Sequence, residues 1–206
     1  MLAGLVLLAA VSLLAVFSAS GVVLQRNMAA NFRENSLAME NAHKASSFAR
    51  AWLISRPVSD RDASCLTGCI LPIGVRNAGE LSDRPEFEGA GWWRDNGYSA
   101  GYNPETASTV EDPTLSGRSA YWLIEEIHFD PGAEQAENRA TGFYRVFSRG
   151  EGRNANSVVV LETIVARPWE GEISPGHFPP TGPERSFCGQ FDPQQSCGVL
   201  AWRRRR

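Results

Sequence analysis

The residues best suited to chemistry in this chain are its four cysteines. Cys65 and Cys69 stand four positions apart in "CLTGC", and Cys188 and Cys197 stand nine apart in "CGQFDPQQSC". Structural zinc sites use tighter pairs close to C-x2-C, usually with histidine nearby. Both spacings here are longer, and neither loop contains a histidine. The pairs point instead to disulfides formed in an oxidising compartment. Cys65–Cys69 and Cys188–Cys197 is the simplest of three possible connectivities, and spacing leaves the other two open.

Other reactive side chains form no constellation. The three histidines, His43, His128 and His177, sit in unrelated contexts. No G-x-S-x-G, H-E-x-x-H or phosphate-cradling glycine loop is present. Glu125 and Glu126 are neighbours, and in a strand neighbours face opposite sides, so they cannot act as a carboxylate pair. "DRDAS" and "EDPTLSG" offer oxygens without the calcium-loop pattern. The expectation is therefore a protein with no catalytic residues, cofactor, metal or small-molecule substrate. Trp92 and Trp93 in "EGAGWWRDNGYSAGYN" admit two readings: a glycan- or partner-binding aromatic surface, or rings that fill a satellite core. Core is expected.

A formal charge of −3 and a pI near 5.7 give no reason to expect a nucleic-acid partner. The basic run Arg203 to Arg206 reads as a solvated, disordered end, with contact to acidic lipid or an acidic partner as the alternative.

The elements that must carry these residues begin with an apolar run. Leu2 to Leu24 holds 23 positions without a charge, enough to cross a hydrocarbon core of roughly 30 Å as a helix. No Gly or Pro interrupts Val22 to Arg56. Met28, Phe32, Met39, Ala42, Ala45, Phe48, Ala49, Trp52 and Leu53 then recur at helical spacings, so the helix continues as an amphipathic one. Pro57 ends it near Arg56. Phe48 to Leu53 is expected to pack on a globular head, and the thinner stretch from Gln25 to Asn41 to lie between membrane and head.

From Pro57 to Ser119 the chain is rich in turn formers and reads as long loops. Three strands follow, at Ala120–Phe129, Gly142–Gly150 and Ser157–Trp169, the last two joined by the polar hairpin "GEGRNAN". One long helix over an antiparallel meander is the expected α+β architecture.

Two stretches carry a family resemblance. "QRNMAANFRENSLAMENAHKA" resembles the start of PilX-type minor pilins, through Arg26, Met28, Ala29, Asn31, Arg33, Glu34, Ala38, Ala42 and Ala45. "FYRVFSRGEGRNANSVVVLETIVAR" is similar to the ending of such heads, through Tyr144 to Val146, Ser148 to Gly150, Gly152 and Val159 to Leu161. The resemblance implies a pilin-like fold: a transmembrane half-helix (1–24), an amphipathic half-helix (25–56) and a periplasmic head with a basic tail (57–206). It implies an inner-membrane subunit that later joins the pilus at its tip or base. Its partners would be other minor pilins and the major pilin, met through the N-terminal helix, with Arg26, Met28, Asn31, Arg33 and Glu34 as assembly candidates. The role implied is priming or capping in type IV pilus assembly.

Such proteins are made with a short basic leader ending in Gly, expected to precede Met1 in the gene or to have been removed. Shaft subunits carry an early glutamate, whereas Met1 to Asn31 holds no acid, which resembles minor pilins and pseudopilins. A minor pseudopilin of a type II secretion system and a membrane-anchored periplasmic glycan-binding module are the competing readings.

Overall fold

The computed structural model describes residues 2–62, 65, 69–109, 120–131, 140–154, 156–169, 187–191 and 195–205. Of these, 2, 5–7 and 9–20 are described by their helical backbone alone. Helix α1 runs unbroken over Leu2–Ser55. Pro57, extended at φ −63° and ψ 152°, turns the chain out of it. Among the described residues no helix is long and apolar enough to cross a membrane. The expected span from Leu2 to Leu24 falls largely on side chains outside the described residues.

The loop-rich stretch holds small elements: β1 (Val75–Asn77), α2 (Ala90–Asn96), β2 (Tyr98–Ser99), β3 (Tyr102–Asn103) and β4 (Ser108–Thr109). Then come β5 (Ala120–Asp130), β6 (Thr141–Glu151) and β7 (Val158–Pro168), joined antiparallel with one bulge at Ile127 in β5, and finally β8 (Gly198–Arg205). The main sheet has the order β1-β5-β6-β7-β8, with β2 also on β5. β1 runs parallel to β5, so the sheet is mixed rather than purely antiparallel as expected. Three residues of β1 are too few to show a pattern in sequence.

The larger correction concerns the basic tail. Arg203 to Arg205 lie in β8, paired with Glu162, Leu161 and Val160 of β7. They are not a disordered end. The reason is a carboxylate some forty positions earlier: Glu162, nearly buried in mid-sheet, accepts Arg203 Nε at 2.9 Å and Arg205 Nη1 at 3.0 Å. Arg203 and Arg205 are thus met by carboxylates, Glu162 and for Arg205 also Glu86.

Alternation divides the sheet into two faces. Trp122, Ile124, Tyr144, Val146 and Val165 join Phe48, Trp52 and Leu53 of α1 in the main core. The Trp52 and Trp122 rings lie 5.4 Å apart. On the opposite face Leu123, Phe147 and Val160 pack around Trp93 of α2. Trp93 is fully buried and donates its indole N–H to the Pro85 carbonyl at 3.0 Å.

The helix meets the sheet at backbone distance. Ala38, Ala42, Ala45 and Ala49 are all completely buried, and a Cβ at Gly150 would overlap the Ala38 carbonyl and the Ala42 amide. Only glycine lets β6 pass so close.

Candidate functional site

The amphipathic helix divides at Glu34. From Gly21 to Arg33 every residue is exposed, including Val22, Val23, Leu24 and Met28, and Phe32 at 75%. Large apolar side chains left in water along a helix mark a surface that another body covers. Arg26 and Arg33 make no hydrogen bond or ion pair among the described residues, and Asn31 is likewise exposed. The expected stripe therefore splits. Ala42 through Leu53 face the core, Met39 is half-buried, and Met28 and Phe32 face outward.

Glu34 departs from this group. Its carboxylate accepts the backbone N–H of Asn154 at 2.9 Å, and Gly152 leaves room for it. One helical stretch on, Asn41 Nδ2 donates to the Glu151 carbonyl at 2.6 Å. The β6–β7 hairpin thus grips α1 at two polar points, one before the Gly150 contact and one within it. Ser46 and Thr163 add a hydroxyl pair at 3.3 Å further along. Glu34 is an intrachain clamp here.

A second polar cluster holds the other end of α1. Arg167, completely buried, donates to the Arg56 carbonyl and stacks on Trp169 with its guanidinium 3.4 Å from the ring centroid. Burial pulls its pKa down to about 9, against the opposing pull of Tyr144 and Asp60. Arg56 pairs with Glu105 at 2.6 Å. Arg61 forks onto Glu126 at 3.1 and 3.0 Å, and Glu126 also accepts the Tyr144 hydroxyl at 2.9 Å. Burial, then the Glu126 charge, pushes the Tyr144 pKa well up, so the phenol keeps its proton. These groups tie the helix end to the sheet.

The remaining candidates are placed plainly. Both local disulfides form, Cys65–Cys69 and Cys188–Cys197, with Cα atoms 5.7 and 5.6 Å apart. Trp93 has no exposed ring, and Trp92 is half-buried against it, 5.5 Å between centroids. Trp93 is thus spent on covering the sheet, and Trp92 alone keeps part of its ring exposed. His43 contacts Trp202 edge-on and His128 lies against Phe143; His177 and "EDPTLSG" lie outside the described residues. Among the described residues no cluster of His, Cys, Asp and Glu could hold a metal.

A family model described as "Type IV pilus assembly protein PilX C-term" matches residues 40–167, more than half of the chain. The chain belongs to the PilX type IV pilus assembly family. No curated protein and no solved structure matches it.

The PilX match begins in the head-bound half of α1 and ends with Arg167 in β7. Within the match the alanine stripe of α1 seats on the β6–β7 hairpin, while Arg167 lies at the far end of β7 against the Arg56 carbonyl. The match excludes the exposed helix before residue 40, the second disulfide and β8. Sequence reasoning missed the clamp at Gly150 and Asn41. The signal for it was there: alanines at 38, 42, 45 and 49 opposite a strand that ends in Gly150. A stripe of small residues on an otherwise amphipathic helix predicts a close backbone neighbour.

Proposed function

We propose that the chain is a minor pilin that takes part in initiating or capping the type IV pilus and performs no catalysis. What carries this reading, beside the family, is the contrast along α1. Its second half is fastened to the head at backbone distance, while Gly21 to Arg33 stands free with Val22, Val23, Leu24, Met28 and Phe32 exposed. A helix of this kind suits exchange of one apolar surrounding for another. It would sit in the inner membrane with the head in the periplasm, then move into a bundle with the helices of other minor pilins and the major pilin. Such an exchange trades lipid contacts for protein contacts at little net cost. Arg26 and Arg33, exposed beside the apolar side chains, are the proposed charge-pairing groups between subunits, with Met28 and Asn31 in the same contact.

The test is genetic. Deleting the gene is expected to reduce or abolish surface pili and twitching, with both restored by the gene in trans. Normal pili in the deletion strain, together with a defect in protein secretion, would transfer the role to a secretion pseudopilin.

A further inference from the structure

β8 lies at the rim of the main sheet, with β7 on one side. Among the described residues no backbone hydrogen bond reaches its outer side. Val199 to Arg203 are exposed without interruption, so both faces and the edge are open there. Edges of this length are normally blunted by proline, bulges or very short strands. β8 has eight residues and no proline; its one bulge, at Leu200, leaves Val199, Leu200 and Trp202 displayed, the last 57% exposed.

The edge is also held rigid. The Cys188–Cys197 disulfide sits immediately before it, Gly198 enters it at φ +83°, and Glu162 anchors Arg203 and Arg205. A receptor strand fixed in this way loses little freedom when a ligand docks.

The apolar edge runs into a cleft of about 510 Å³ where Arg84, Arg203, Arg204 and Arg205 face Asp83 and Glu86. Arg205 already occupies Glu86, at 3.2 Å. Arg204 has only the neutral Asn35 side chain as a partner, at 3.0 Å, and Arg84 has no carboxylate partner among the described residues. Positive charge is therefore in excess, beside the exposed ring of Phe87. The strand lies beyond the part of the chain that the PilX match covers.

We propose that the outer edge of β8 is a docking site for an extended, acid-bearing segment of a partner protein. The segment joins the sheet as an added strand. Its backbone pairs along Val199 to Trp202, and its carboxylates reach Arg84 at the cleft and Arg204 on the α1 face of the sheet. The inference does not rest on the pilus role, and the peptide experiment below reads the edge without reference to piliation.

The test uses the full chain in detergent micelles with both disulfides formed. The probes are three short synthetic peptides: alternating glutamate and valine, alternating lysine and valine, and the glutamate peptide with its valines replaced by proline. Amide hydrogen exchange at residues 199–204 and peptide anisotropy are read together. The glutamate–valine peptide is expected to slow exchange at those amides and to bind at least about tenfold more tightly than the other two. Arg84→Glu with Arg204→Glu is expected to remove that preference while the far-UV spectrum stays unchanged; the peptide comparison on the native chain stands by itself if that variant fails to fold. No protection at millimolar peptide, or equal binding of the proline or lysine peptide, would overturn the proposal. Protection that grows with protein concentration alone would do the same, and would place a second copy of the chain on the edge.

Discussion

Between Ala38 and Leu53, α1 presents alanines at 38, 42, 45 and 49 to the sheet and buries every one, with Trp52 and Leu53 closing the core. Between Gly21 and Arg33 the same helix carries Val22, Val23, Leu24, Met28 and Phe32, all exposed. The two stretches differ in side-chain size because they differ in what covers them. A sheet of the same chain, held by a glycine contact, can approach a helix closely only if the side chains are small. A helix that awaits other subunits keeps large apolar groups that supply area on contact. Composition along one helix thus separates contacts made within the subunit from those proposed between subunits.

That contrast can be broken by substitution. Trp52→Ala removes the largest ring of the bound half and is expected to destabilise the head by about 3–5 kcal/mol, read as a lower thermal midpoint. Gly150→Ala forces β6 away from α1 and is expected to cost about 1–3 kcal/mol, with slower gains from relaxation because backbone, not a flexible side chain, is in the way. Glu34→Ala frees the Asn154 amide at the boundary between the halves and is expected to cost about 0.5–1.5 kcal/mol. Phe32→Ala is the opposite case: thermal unfolding of the head is expected to stay within about 0.5 kcal/mol of the native chain, while pili counted by electron microscopy fall. Equal loss of head stability from Phe32→Ala and Trp52→Ala would erase the distinction between the two halves.

Much of this architecture was legible in local pattern. The three strands of the meander stand within a residue of where alternation puts them, because both faces are lined and one-residue slips would expose tryptophans. The helix ends beside Pro57 as its chemistry requires. β8 was not legible, since four arginines in a row show no period-2 apolar alternation and their counter-charge, Glu162, is remote in sequence. Glu34 read as an intersubunit group for a similar reason. Its partner is a backbone amide in a hairpin more than a hundred positions away, and no side-chain pattern encodes that. Trp92 and Trp93 illustrate the converse, because a pair of rings in a glycine-rich loop gives no hint of which one turns inward.

The placement of the hairpin clamp has a mechanical consequence. On the proposed role, a fibre subunit pulled through the free end of α1 feels the load along the helix. Glu34 on Asn154 and Asn35 on Arg204 are the first attachments that load meets, ahead of the Ala38–Ala42 seat on Gly150 with its Asn41–Glu151 bond and well ahead of the tryptophan core. Tension therefore enters the sheet through the β6–β7 turn, whose two long strands are central in the head, and through the end of β8.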